Sequence, residues 1–336
     1  MSRTVTQGEL EPARPQPDDV DQELLERLYF RMFQVRCLEQ ELRNRHKLGE
    51  FRGAVHCCDG QEAVGVGAAA ALRAGDVVTS THRGHAHYIG SGASIAGVVA
   101  EIYGRITGPC RGRAGHMHVA DVKAGLLGGN GIVGGGLSLA AGQAWAFKTL
   151  KARRVAMCFF GDGAAQTGAF HETLNIASLW KLPVVFVCDH NDYGLTVRAS
   201  VQSAVADIAD RAAAYAMPGV TLDGNDVMQM YETARMAVER ARAGEGPTLI
   251  EAKTYRTTGF STSDVGGYQP AEEIEIWKKR DPIARFERDL VAVLGERRLM
   301  ALQADARQEL DEAFTLALEA PYPDKSELFE PEFGVS

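Results

Sequence analysis

The chain lacks any run of about 18 apolar residues, the length a membrane-spanning helix needs, so no span is expected in its 336 residues. It lacks a basic excess. The formal net charge is −8, opposite in sign to the surfaces that hold nucleic acid. It also lacks CxxC pairs. Its six cysteines are Cys37, Cys57, Cys58, Cys110, Cys158 and Cys188, one adjacent pair and two in apolar runs among them. They read as free thiols in a reducing cytoplasm, and nothing supports a redox role for Cys57 and Cys58. An apolar core is missing from Met1 to Asp19, where Pro12, Pro15 and Pro17 stand among polar residues. That speaks against a secretory signal and makes residues 1–20 a loose or partner-contacting arm. Repeats and low-complexity tracts are absent too.

What is present is α/β patterning. Leu24, Leu25, Leu28, Met32, Val35, Leu38 and Leu42 fall on one face of a helix from Asp21 to Lys47. The small-residue segment Gln61 to Arg73 favours a helix packed closely on a neighbour. Asp76 to Thr81 reads as a short strand that delivers His82, Arg83 and His85 to its end. Ser94 to Tyr103 is a further helix, and Gly104 to Gly136 a glycine-rich stretch able to approach a ligand. A helix over 137–150 follows. The clearest unit is strand Val155 to Phe160, helix Ala164 to Trp180 and strand Val184 to Asp189, a βαβ unit of a buried parallel sheet. A helix over Val227 to Ala243, a strand over Thr248 to Thr254 and a polar, mobile loop over Arg256 to Gln269 come next. Two amphipathic helices close the chain, over 271–294 and 300–319, the first split at Asp281 and Pro282. The expected fold is one α/β domain over 21–328, a mostly parallel sheet flanked by helices, with a helical C-terminal segment from about residue 271 and a tail over 329–336.

Chemistry concentrates in GDGAAQTGAFHETLN, which starts at Gly161 directly after a strand, and in HNDYG, His190 to Gly194, directly after the next. Both segments then lie at the carboxyl ends of parallel strands, where open α/β sheets bind ligands. Gly163 and Ala164 begin the helix, so their N–H groups and its dipole favour an anion. Asp162, the Asn191 side-chain oxygen and the Tyr193 carbonyl can ligate Mg2+, a cation that takes octahedral oxygen donors. The structural alternatives are a capping aspartate and a turn asparagine. GNGIVG, Gly129 to Gly134, spells GxGxxG, but VADVKAGLLG before it is a poor strand and Arg153 and Arg154 lie near the expected acidic position, against a dinucleotide site. His82, His85 and His87, with His116 and His118, lack the cysteine partners of a zinc site. Arg111 and Arg113 read as a solvated face.

A GDG followed about 30 residues later by an asparagine turn resembles the thiamine diphosphate fingerprint. RGAVHCCDGQEA (Arg52 to Ala63), HRGH (His82 to His85), GNGIVGGG (Gly129 to Gly136) and LWKLPVVFVCDHNDYG (Leu179 to Gly194) extend the resemblance. It is to the E1α subunits of pyruvate, branched-chain 2-oxo acid and acetoin dehydrogenases, and runs from about Asp21 to Leu328. It implies thiamine diphosphate and Mg2+ as cofactors. Asp162, Asn191 and Tyr193 would hold the metal, and Gly161, Gly163, Ala164, His82 and Arg83 would lie at the diphosphate. The Gly131 and Val133 backbones would meet the aminopyrimidine, and His56 and His85 would serve catalysis at the channel.

The chain departs from the family's pattern at three places. His190 stands where the metal turn usually has a first asparagine, and His82 where a tyrosine precedes the arginine. Phe260 in YRTTGFS replaces the loop histidine of Tyr-Arg-x-x-Gly-His-Ser, and phenylalanine neither transfers a proton nor bonds a phosphate. The resemblance also implies what is missing: the glutamate that bonds the pyrimidine and drives proton loss belongs to a β subunit. The expected assembly is therefore α2β2, decarboxylating a 2-oxo acid or cleaving acetoin and passing the acyl unit to a lipoyl carrier of E2 type. Two alternatives are a transketolase-like subunit acting on a ketose or ketose phosphate, and an inactive cofactor-binding relative.

Overall fold

In chain order the strands are β1 (Val77–Thr79), β2 (Leu126–Gly128), β3 (Ala156–Gly161), β4 (Val184–His190), β5 (Tyr193–Gly194), β6 (Val197–Arg198), β7 (Gly219–Asp223) and β8 (Thr248–Lys253), in a computed structural model that describes residues 14–329. Six of them form one sheet in the order β2-β1-β3-β4-β8-β7, every neighbour parallel. β5 and β6 make a separate antiparallel hairpin. Successive side chains of a strand point to opposite faces, and both faces here are covered. Met157, Phe159, Val185 and Val187 enter one core, whereas Ala156, Cys158, Phe160, Val184, Phe186 and Cys188 enter the other. Two-sided burial is why these strands read as continuous apolar runs.

The first face packs against α1 (Gln22–Lys47), α2 (Glu62–Ala69), α3 (His85–Gly90) and α4 (Ile95–Ile102). The second packs against α5 (Gly135–Thr149) and α6 (Gly168–Leu179). The four-residue α7 (Ala199–Gln202) follows the hairpin. The first face takes three more helices, α8 (Val227–Arg242), α10 (Pro282–Leu294) and α11 (Glu296–Glu319), while α9 (Ala271–Lys278) buries no residue. Asp281 caps α10, its carboxylate accepting from Ile283 and Ala284 N–H, with Pro282 at the first helical position. The break expected at that pair is therefore present, and it separates α9 from α10.

Residues 1–13 and 330–336 lie outside the described residues, so most of the arm and the tail cannot be followed. Arg14 lies against the body, ion-paired with Asp226 and Asp289, and Pro17 is buried.

Several expectations need correction. The helix expected from Ala164 starts four residues later. Ala164–Gln166 is a 3-10 turn, and Thr167, extended and accepting from the Phe170 N–H, caps α6. The stretch judged a poor strand contains β2, which pairs with β1 directly before GNGIVG. Three residues at a sheet edge leave too short a pattern to detect. The edge strand β7 was not anticipated, because alternate burial over five residues is a weak signal. Arg111 and Arg113 are exposed, as expected of a solvated face, and both pair with Glu327. The loop after β8 has no regular structure, as expected, but its ends are tied: the Tyr268 hydroxyl donates to Asp264 (2.6 Å) and the Arg256 guanidinium donates to Tyr268 (2.6 Å).

Glycine is decisive in α2. A Cβ on Gly65 would lie 2.7 Å from the Ala86 carbonyl carbon and Cβ, so α2 and α3 meet at backbone distance. Gly65→Ala is expected to cost about 1–3 kcal/mol through overpacking. A urea titration checks this as a lower midpoint with unchanged slope.

Candidate active site

β1 is followed in the chain by β2 on one side and by β3 on the other, so the crevice beyond their carboxyl ends is a topological switch point, the position where open sheets take ligands. A cavity of about 300 Å³ opens there. Its walls come from the loop after β1, the GNGIVG turn, the GDG turn, the turn after β4 and the segment after β8.

Of the residues singled out from sequence, His56, His82, Arg83, Gly131, Val133, Gly161, Asp162, Gly163, Ala164, Asn191 and Tyr193 line this one cavity. His85 does not. It opens α3, is fully buried, and its Nδ1 lies 2.8 Å from Glu39 Oε1. Direct contact with a ligand in the cavity is closed to it.

Asp162 is 4% exposed. Its Oδ1 accepts from the Gly163 N–H (2.9 Å), while Oδ2 has no hydrogen-bond partner and stands 4.0 Å from His190 Nε2. An unpartnered buried carboxylate oxygen is costly, and burial raises the Asp162 pKa against the opposing pull of His190. The Asn191 amide nitrogen donates to Gln61 Oε1 (3.0 Å), which turns its oxygen away from Gln61; that oxygen has a long contact, 3.4 Å, with the Tyr193 N–H.

Two cations were separated in the sequence and meet here. Arg83 donates to the Cys57 carbonyl (2.5 Å) and the Phe260 carbonyl (3.0 Å). Arg256 donates to the Tyr193 carbonyl (3.1 Å), the Leu195 carbonyl (2.5 Å) and the Tyr268 hydroxyl. Both side chains are buried, and among the described residues neither is paired with a carboxylate. Burial first, then the Arg83 charge, lowers the Arg256 pKa. Two adjacent buried guanidiniums without a counter-ion make the cavity a receptor for an anion. Arg256 was missed from sequence; the Tyr-Arg of YRTTGFS, where the family's loop begins, was the available signal.

Phe260 lines the cavity beside His56, ring centroids 6.4 Å apart. Burial lowers the His56 pKa to about 3 and that of His82 to about 4, with Arg83 and Arg256 adding to both. Both imidazoles are neutral at pH 7.

Beyond Asp162 lies a second polar group. His190 Nδ1 meets Glu251 Oε1 (2.5 Å), and Lys253 Nζ meets the same carboxylate oxygen (2.6 Å). Burial pushes Glu251 up, but bonds from His190, Lys253 and the Ala209 N–H win and bring it down to about 2. A carboxylate whose folded pKa is depressed contributes stability above its unfolded value and loses it as pH falls through the folded one. The contribution, about 3 kcal/mol, should thus be present above pH 4.5 and disappear towards pH 2. Acid titration of Glu251→Gln is expected to show a less stable protein at neutral pH and a flatter decline over that window.

A parallel α/β sheet, a glycine-walled crevice at its switch point and an anion-receptive, carboxylate-bearing cavity define a nucleotide- or diphosphate-type cofactor protein. A model of the dehydrogenase E1 component family matches residues 30–326. The α subunit of acetoin:2,6-dichlorophenolindophenol oxidoreductase of Bacillus subtilis is 44% identical over 302 residues, covering 90% of this chain and 91% of its own. That of Cupriavidus necator is 37% identical over 312 residues, 92% and 94% of the two chains. The pyruvate dehydrogenase E1 component α subunit of Zymomonas mobilis is 37% identical over 321 residues, 95% and 91%. The chain belongs to the dehydrogenase E1 component family, as an α-type component of a thiamine diphosphate-dependent enzyme. No helix among the described residues is long and apolar enough to cross a membrane.

Proposed function

We propose that this chain grips the diphosphate end of thiamine diphosphate together with Mg2+, and works as the α subunit of an α2β2 enzyme that cleaves acetoin or decarboxylates a 2-oxo acid such as pyruvate. The observation that carries the reading is that Asp162, with a buried and unpartnered Oδ2, lines a cavity that also holds two guanidiniums unpaired with any carboxylate among the described residues. Those groups fit a cation–diphosphate pair and little else.

Asp162 and Asn191 supply a carboxylate and an amide oxygen to the metal. The Tyr193 carbonyl, bonded to Arg256, is the third donor. Arg83 and Arg256 neutralise the phosphate charge, and the Ala164 N–H, at the start of a 3-10 turn, adds a backbone donor beside the Gly163 N–H, which holds Asp162 Oδ1 in place. Gly161 ends β3 at the cavity wall and His82 flanks Arg83. The backbones of Gly131 and Val133 face the aminopyrimidine. When bound, the cofactor supplies a carbanion able to add to a carbonyl carbon.

A heteromeric enzyme is supported by surface chemistry. Ile132 and Val133 at the cavity mouth are exposed, as are Leu139, Trp145, Leu179 and Trp180 on the outer side of α5 and α6. An apolar face of this kind beside an active site is an interface signature. The partner is a β subunit that contributes the pyrimidine-side glutamate, and the acyl unit passes to a lipoyl carrier of E2 type. The 44% identity with the Bacillus subtilis acetoin enzyme favours acetoin as donor. A cytoplasmic location accords with the six free thiols.

The test is co-expression with a β-type subunit, addition of thiamine diphosphate and Mg2+, and reduction of an artificial electron acceptor across acetoin, pyruvate, branched 2-oxo acids and ketose phosphates. Turnover with acetoin or a 2-oxo acid supports the reading. Turnover with ketoses alone would move the protein to a transketolase-like activity, and cofactor binding with no turnover on any donor would leave an inactive relative.

A further inference from the structure

Behind the cavity wall lies a row of polar groups that cofactor binding does not use. His56 Nδ1 is 3.1 Å from His116 Nε2, with the rings stacked at a centroid distance of 5.1 Å. The other His116 nitrogen, Nδ1, is buried and unpartnered. Next comes His85, its ring centroid 5.6 Å from that of His116, and its Nε2 is buried and unpartnered too. His85 Nδ1 then meets Glu39 Oε1 at 2.8 Å. Glu39 is fully buried; the same oxygen accepts from the Cys58 N–H (3.0 Å) and thiol (2.9 Å). The His85–His116 centroid distance is only slightly wider than that of the bonded His56–His116 pair. Two orphaned nitrogens on neighbouring buried rings are what a proton path with one movable junction leaves behind.

We propose that Glu39, His85, His116 and His56 form a proton path that ends in the cavity at His56, and that this path exchanges protons with the substrate oxygen. The inference rests on the functional reading above. The remaining imidazoles of the cavity are less suited. His87 is fixed by Ser80 (2.8 Å) and stacked on Phe159, and His82 meets His56 edge-on without a bonded chain behind it. Phe260 beside His56 has no proton to give.

The proton count closes without a further reactant. The proposed path starts with a hydrogen on each nitrogen of His85, Nδ1–H bonded to the Glu39 carboxylate (2.8 Å). His56 Nε2–H passes its proton to the substrate oxygen as that oxygen gains charge. His56 Nδ1 takes the His116 Nε2 proton, and His116 Nδ1 takes the His85 Nε2 proton. His85 is left neutral, still donating through Nδ1 to Glu39. The reverse sequence removes a proton from a substrate hydroxyl. Burial lowers the His116 pKa to about 2, so the two outer imidazoles are neutral at rest. The charges facing His56 are Arg83, Arg256 and the His85 end of the path, with the neutral His82 ring beside it, and they keep positive charge off His56. Around Glu39 they are His85, Asp59 and Arg43.

The test uses the enzyme assembled with its β-type partner, thiamine diphosphate and Mg2+. His116→Phe and Glu39→Gln are expected to lower kcat by about 100-fold, while KM and thiamine diphosphate affinity stay within about threefold and the pH profile of kcat loses its wild-type shape. Should His116→Phe not fold, His116→Asn, which keeps a polar group beside His56 but cannot relay, is expected to show the same loss. Nitrogen NMR of histidine-labelled full-length chain should find His85 doubly protonated in the wild type and neutral in Glu39→Gln. Retention of kcat within about threefold in the folded His116 variants, or a neutral His85 in the wild type, overturns the path. Absence of wild-type turnover on every donor would instead overturn the functional reading, and the NMR result would still decide the state of His85.

Discussion

Asp162→Ala is expected to abolish turnover and to weaken thiamine diphosphate binding by at least about 100-fold, because altering even a supporting group of a metal site costs 10–100-fold and Asp162 is offered as a ligand itself. The same substitution should act in the opposite direction on the empty protein. There Asp162 is a buried carboxylate with one oxygen unsatisfied and its pKa raised by burial, so its negative charge is unfavourable until a cation arrives. Asp162→Asn, which keeps the shape and removes the charge, is expected to melt higher than wild type without cofactor. It should melt lower than wild type once thiamine diphosphate and Mg2+ are added, because ligand binding to the native state stabilises by mass action only where affinity survives. Paired thermal melts with and without cofactor decide it. A parallel fall of both would mean that Asp162 is only a capping residue of the GDG turn.

Arg83→Met is expected to weaken thiamine diphosphate binding by about 10- to 100-fold, the worth of one charge-assisted hydrogen bond to phosphate. Arg83→Lys should rescue little, since one ammonium cannot span the Cys57 and Phe260 carbonyls that hold the fork and still present a planar pair of donors. Arg256 supplies the contrast. Arg256→Met removes the same charge from the cavity but also strips the donors of the Tyr193 and Leu195 carbonyls, so it should lower stability as well as affinity. Isothermal titration of the three variants at two ionic strengths separates the contributions. Equal affinity for wild type and Arg83→Met would remove Arg83 from the diphosphate grip.

Much of the site was legible in the sequence because it sits on two strand–turn units whose order is local. An apolar run ending in GDG, and another ending in an asparagine turn, place Asp162 and Asn191 at the carboxyl ends of two neighbouring strands whatever the rest of the chain does. The parallel sheet, the helix over 22–47 and the break at Asp281 were readable for the same reason: each rests on neighbouring residues and a fixed period.

Distance along the chain limited the rest. Short edge strands such as β2 and β7 gain their identity from partners, Val78 and Ile250 among them, that lie far away in sequence. The start of α6 was misjudged because Thr167 competes for the helix cap with a residue, Gly163, whose N–H is taken by the Asp162 carboxylate. His85 looked like a cavity residue because it follows Arg83 closely, yet the turn into α3 buries it against Glu39 on a different helix.

The sequence by itself determined the fold class, the family and the GDG and asparagine-turn walls of the cavity, since these depend on hydrophobic period and on turns within single βαβ units. Only the tertiary structure decided that Arg256 joins Arg83 as a second uncompensated cation, that Asp162 keeps an unsatisfied oxygen, and that Glu39, His85, His116 and His56 stand in one row. Those facts arise where segments remote in the chain pack together in a medium too dry to screen charge or to satisfy a stray nitrogen, and no local pattern encodes which remote segments those will be.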